Sequence, residues 1–211
     1  LDCAARYDSG EISDPRFSIY KSANDSEISI THPDLVPYLK CFIVRAWDLN
    51  QWVTQIFSTY RTWEHQDNLR KENSANAKPG DSWHNYGLAF DVNMYQYPEG
   101  ETSPSNHTAH LRKNKPDPRF PEFKSVTDHW LASLIPDMWK SMVGSNYNWG
   151  GAKNDIVEYG KQKSLASYSN YVDCCHFDID GFGVSVSTLK NEVEAGRVNQ
   201  SEANQIDLSK L

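Results

Sequence analysis

The chain has 211 residues, 38% hydrophobic and 12% aromatic, enough to bury one sizeable core and too few for two full domains. Its 21 basic against 28 acidic residues give a formal charge of −7 with no concentrated basic patch, which argues against a nucleic-acid partner. No apolar run approaches the ~18 residues of a membrane span, and the first residues lack the charged-then-apolar pattern of a signal peptide, so a soluble chain without membrane insertion is expected.

Residues 1–30 are mixed and polar, with Ser9-Gly10, Asp14-Pro15 and a short apolar alternation at Ile28 and Ile30, and read as an N-terminal arm. Thr31-His32-Pro33-Asp34 then offers a helix start. Leu35, Leu39, Phe42, Ile43, Ala46 and Trp47 recur at helical spacing, with Pro37 tolerated in the first turn, and predict a packed helix to about Leu49. The run Trp52 to Phe57 is β-branched and aromatic and predicts a strand ending at Ser58-Thr59. Thr62 can cap a following helix, which places Arg61 at a strand-to-helix corner.

Residues 73–81 are a loop by their small, turn-forming content. Next comes Ser82-Trp83-His84-Asn85-Tyr86-Gly87-Leu88-Ala89-Phe90-Asp91, which sets an imidazole and a carboxylate seven residues apart across a turn that enters a strand. With period 2, Leu88, Phe90 and Val92 share the core face, and Asp91 faces a cleft. His84 has the opposite parity, so the turn at Asn85-Tyr86-Gly87 must swing it back over that cleft, a task that suits glycine at 87.

Residues 96–125, rich in Pro, Ser, Asn, Lys and Glu, read as a surface insertion, with His107 and His110 as loop histidines and a lid as a secondary role. Residues 126–143 carry Val126, Trp130, Leu131, Leu134, Ile135, Met138, Trp139 and Met142 at helical spacing, interrupted by Pro136, and predict one kinked helix or two short ones; His129 reads as a core-edge residue. Asn148-Trp149-Gly150-Gly151 is a tight turn. From 174 on, Cys175, Phe177 and Ile179 share one face of a strand, and Cys174, His176, Asp178 and Asp180 the other. If this strand neighbours that of Asp91, directly opposed side chains can reach one metal. The cysteines, Cys3, Cys41, Cys174 and Cys175, have neither the density nor the spacing of a disulfide scaffold, and the adjacent pair reads as ordinary strand thiols.

His84, Asp91 and His176 would form a three-ligand N,N,O site with a fourth position left for water, the pattern of catalytic rather than structural zinc. Asp173, just ahead of the strand, is then placed to accept and return a proton, and Arg61 to stabilise a developing oxyanion.

The segment S-x-H-N-Y-G-x-A-x-D from Ser82 to Asp91 resembles the signature of the L-alanyl-D-glutamate peptidases, found among phage endolysins and bacterial wall hydrolases and related to the D-alanyl-D-alanine carboxypeptidases and dipeptidases. Ser58-Thr59-Tyr60-Arg61-Thr62 with Gln66, Trp149-Gly150-Gly151 and Asp173-Cys174-Cys175-His176-Phe177 resemble further family motifs in the family's order. Thr59 stands in place of a glycine, Cys175 of a proline and Asp178 of a frequent glutamate.

The resemblance implies an α+β fold, a small mainly antiparallel sheet with packed helices and a single zinc in a surface cleft. It implies His84, Asp91 and His176 as zinc ligands, Asp173 as catalytic base, Arg61 as the carbonyl-polarising or substrate-anchoring cation, and Ser82 and Gln66 as substrate-site residues. The expected organisation is an arm over 1–30, a zinc peptidase domain over 31–186 with its insertion near 96–125, and a C-terminal helical tail over 187–211. The expected activity is zinc-dependent hydrolysis of peptidoglycan stem peptides by a monomer, first as an L-alanyl-D-glutamate endopeptidase of endolysin type. The alternatives are a D-alanyl-D-alanine carboxypeptidase and, from another class, a non-catalytic zinc-stabilised wall-binding or structural module. Its place of action would be the cell wall, on the periplasmic or extracellular side, reached by phage delivery or holin release.

Overall fold

The computed structural model describes residues 2–74, 76–103, 108–109, 134–149, 152–153, 175–179 and 181–211. Helix α1 (Asp2–Ser9), α2 (Lys21–Ile30) and α3 (Val36–Asn50) lead into β1 (Val53–Ser58), α4 (Trp63–Glu72), a short 3-10 turn (Trp83–Tyr86) and β2 (Ala89–Gln96). Then come β3 (Thr108–Ala109), α5 (Ile135–Val143), β4 (Tyr147–Trp149), β5 (Ala152–Lys153), β6 (His176–Ile179), α6 (Val186–Glu194) and two 3-10 turns, Gln200–Gln205 and Leu208–Lys210. The fold is α+β. The strands pair antiparallel in the order β1-β2-β6-β4-β5, with β3 added to β2.

The core lies on one side of this sheet. Helix α3 forms where the apolar spacing predicts it, with Pro37 in the first turn where its missing N–H costs nothing. Its Leu39, Phe42, Ile43, Ala46 and Trp47 are all buried. Phe42 packs edge-on against Phe90 of β2 at 5.1 Å and Trp139 of α5 at 5.9 Å, and tilted on Phe177 of β6 at 4.9 Å. Such contacts make truncating Phe42 to alanine cost ~3–5 kcal/mol. Trp139 is itself fixed, because its indole N–H donates to the carbonyls of Asn148 and Asp178.

Where the sequence reads as an arm, α1 and α2 form and send Tyr7 and Ile28 into the main core, and Phe17 joins them from the turns between the two helices. Asn24 of α2 is buried; its amide donates to the Thr54 carbonyl, and its oxygen accepts from the Ile56 N–H. It therefore pairs with the outer backbone of β1 as a neighbouring strand would. A disulfide between Cys3 and Cys41 ties α1 to α3. Spacing could not assign that pair, since only the packing of two helices brings the residues together.

Thr62 caps α4 as expected, accepting from the His65 N–H at 3.1 Å. Leu88 departs from expectation. Strand β2 starts at Ala89, so Leu88 precedes the regular alternation and packs with Tyr86, Leu189, Ala203, Ile206 and Leu208 in a second apolar cluster, while Phe90 and Val92 enter the main core. The tail from 187 to 211 thus packs beneath the turn that carries His84. Asn204 donates to the Ile30 carbonyl, and His32 bonds through Nε2 to the carbonyl of Ile206.

Most of the insertion read at 96–125, the helix expected over 126–133 with His129, His107 and His110, Gly150 and Gly151, and Asp173, Cys174 and Asp180 lie outside the described residues. Helix α5 takes up the apolar spacing from Ile135, with Pro136 in its first turn rather than at a kink in mid-helix.

Candidate metal centre

Ser82, Asn85, Tyr86 and Gly87 together place His84. Ser82 Oγ accepts from the His84 N–H at 3.3 Å and starts the 3-10 turn. Asn85, fully buried, accepts from the Gly80 N–H and donates to the Arg61 carbonyl, and Tyr86 donates its hydroxyl to the Gly80 carbonyl. Gly87 ends the turn in the left-handed region at φ +66°, where a Cβ would lie 2.7 Å from the His32 nitrogen. Both the dihedral and the close approach demand glycine. The turn therefore swings His84 toward the strand face that carries Asp91, against the parity of a straight strand.

Asp91 comes from the middle of β2, flanked by β1 and β6, and is directly opposed to His176. Three ligand-type atoms converge. His84 Nε2 lies 3.2 Å from Asp91 Oδ1 and 3.1 Å from His176 Nδ1, and His176 Nδ1 lies 3.0 Å from the same Oδ1. His84 and Asp91 are 2% and 5% exposed, so the centre is nearly shut off from solvent on their side.

The outer nitrogens fix the inner ones. His84 Nδ1 is 2.8 Å from the Thr59 carbonyl, which can only accept, so Nδ1 carries the proton and Nε2 turns a lone pair inward. His176 Nε2 is 2.9 Å from Asp178 Oδ2, which by the same reasoning directs the Nδ1 lone pair inward. Two imidazole lone pairs and a carboxylate oxygen then face one another. Such a set has the donor types of a metal site, two nitrogens and one oxygen. His84, Asp91 and His176 could therefore hold a metal ion.

Without a metal, His176 holds a proton at neutral pH. Burial pushes the His176 imidazolium down, but hydrogen bonds and charge from Asp178 and Asp91 outweigh it and hold the pKa up at about 10. Burial pushes Asp91 up, and the charge of His84 with hydrogen bonds from both histidines brings it well below the usual carboxylate range.

Arg61 stands beside the centre. Its Nη2 donates to Asp91 Oδ2 at 3.3 Å and Ser58 Oγ at 3.0 Å, and its Nη1 to Gln66 Oε1 at 3.1 Å. Asp91 so divides its oxygens, Oδ1 to the centre and Oδ2 to the guanidinium. Gln66 is buried and spends its other end on the Ala77 carbonyl, so in this conformation it positions Arg61. Ser82 is half-buried, with its hydroxyl engaged as the cap. Asp173 lies outside the described residues.

Three contributors escape sequence reasoning. Thr59 acts through its backbone carbonyl, which leaves no trace in residue type. Asn85 acts as a buried staple. Asp178 shares the strand face of His176, and that parity is the signal that points to it, though not to its distance or its burial at 1% exposure. Asn148 of β4, opposed to Asp178, donates to its Oδ2 at 3.2 Å. Compared with known proteins, the chain matches no family model, no curated protein and no solved structure.

Proposed function

We propose that the chain is a zinc-dependent metallopeptidase that hydrolyses peptidoglycan stem peptides, as an L-alanyl-D-glutamate endopeptidase of endolysin type. The observation that carries the proposal is the three-residue N,N,O cluster whose carboxylate also binds Arg61, because it joins a metal-type donor set to a fixed cation. The ordered motifs around Arg61, His84, Trp149 and His176 supply the substrate class by resemblance.

His84, Asp91 and His176 would hold the zinc ion, which when bound would supply Lewis acidity toward a carbonyl oxygen and toward water. Thr59 and Asp178 keep the two imidazoles in the ligating tautomer and orientation. Arg61 places positive charge next to the centre, where it favours charge developing on the oxygen of the scissile carbonyl. Asp173 is assigned the proton transfers. Its carboxylate takes a proton from the attacking water and returns it to the leaving amine. The Cys3–Cys41 disulfide supports action outside a reducing cytosol, in keeping with a wall substrate.

The test is mass spectrometry of muropeptides from purified walls after digestion by the zinc-loaded chain, with and without chelator. A chelator-sensitive cut at the first bond of the stem is the expected result. Loss of terminal D-Ala alone would reassign the chain to the carboxypeptidases, and no product with zinc supplied would overturn the peptidase reading.

A further inference from the structure

Asp91 does not stand alone on its face of the sheet. Strand β2 continues past it through Asn93 and Tyr95 on the same face, while Val92 and Met94 turn into the core. On β1, Gln55 is directly opposed to Asn93. Gln55, Asn93 and Tyr95 are all half-buried, and Asn93 stands two residues, ~7 Å, along the strand from the metal-site carboxylate.

Their hydrogen bonds fix which atoms are presented. Asn93 Nδ2 donates to Gln55 Oε1 at 3.3 Å, and the Tyr95 hydroxyl donates to the same oxygen at 2.9 Å. Both lone pairs of Gln55 Oε1 are thereby used, so Gln55 offers its Nε2 hydrogens outward and Asn93 offers its Oδ1. A donor and an acceptor side by side complement an amide. A carboxylate would satisfy Gln55 but set a negative oxygen against Asn93 Oδ1, a mismatch that discriminates against it.

Resting on the peptidase reading, we infer that Gln55 and Asn93 form a subsite for an amide group beside the scissile bond, and favour stem peptides whose second residue carries a carboxamide over those carrying a free carboxylate.

The test uses the zinc-loaded full chain and two synthetic stem peptides that differ only in that group. The carboxamide peptide is expected to show a KM ~3–10-fold lower, the range that one well-made hydrogen bond supports. Gln55→Ala and Asn93→Ala should each erase the preference with zinc affinity unchanged, since neither side chain bonds to His84, Asp91 or His176. Equal KM values for the two peptides in the unaltered chain, or a preference that survives both substitutions, would overturn the subsite. Absence of turnover on both peptides would instead overturn the peptidase reading. The subsite is then judged by binding alone, from the side-chain amide NMR signals of Gln55 and Asn93 during titration with the carboxamide peptide. Signals that shift sustain the subsite; signals that stay in place overturn it.

Discussion

Asp91 and His176 are directly opposed on antiparallel strands β2 and β6, with His176 Nδ1 3.0 Å from Asp91 Oδ1. Strand pairing alone thus joins residues 85 positions apart, and His84 is added from a turn only seven residues before Asp91. Two of the three ligand-type residues are as rigid as the sheet. The third depends on the turn and on what supports it.

The ligand set and the assigned base should separate under substitution. His84→Ala is expected to lose both zinc and turnover, whereas Asp173→Ala is expected to abolish turnover while keeping zinc. Zinc content of the purified variants, measured alongside hydrolysis of a stem peptide, checks both. Full activity in either variant would refute its assignment.

Asp178→Asn should weaken zinc binding by ~10–100-fold with the fold retained, because the substitution removes the charge behind His176 Nε2 and keeps the shape. Competition with a chromophoric chelator reads the affinity, and circular dichroism reads the fold. Unchanged affinity would show that His176 is oriented without it.

Metal loading should release protons. His176 is held up at about 10 in the metal-free protein, so at pH 7 it must give up a proton before it can ligate, and about one proton should leave per zinc bound. Calorimetry in buffers of different ionisation enthalpy measures that number. The same groups set the pH dependence of the metal-free fold. The raised His176 pKa contributes stability that is fully present below its unfolded value of 6.5 and is lost as pH rises toward about 10. Asp91, depressed, contributes stability present above its unfolded value of 3.8 and lost as pH falls through its folded value. Urea midpoints across pH, with chelator present, check both signs.

Gly87→Ala puts a side chain at φ +66° and a Cβ 2.7 Å from the His32 nitrogen. A loss of ~2 kcal/mol or more is expected, which lowers Tm by ~4 °C or more in a chain of this size. Zinc affinity should fall as well, because the displaced turn carries His84. A variant with unchanged Tm and zinc affinity would contradict the account of the turn.

Reducing the Cys3–Cys41 bond, which closes a separation of 38 residues, should cost ~2–4 kcal/mol by freeing the unfolded chain. Urea unfolding with and without reductant measures it. Zinc affinity of the folded protein should not change, since α1 and α3 contribute none of the three ligand-type residues.

Local pattern carried much of this molecule. Helical spacing from Leu35 to Trp47 located α3, Thr62 announced the cap of α4, and period 2 around Asp91 and His176 put both on one face of the sheet. The parity conflict between His84 and Asp91 even required the turn that Gly87 completes. These features were legible because they depend on neighbours in the chain, where side-chain direction follows backbone period.

Contacts between distant residues were not legible. The Cys3–Cys41 bond, the Asn24 edge pairing, the packing of Leu88 under the tail, and the supports that Thr59 and Asp178 give the two histidines all join segments far apart or act through backbone atoms. Residue type at one position does not encode which surface will meet it. By itself, then, the sequence determined the candidate ligands and the faces that present them. Only the tertiary structure decided their distances, their tautomers and the amide row beside them, because those follow from how the strands register and how the core is packed.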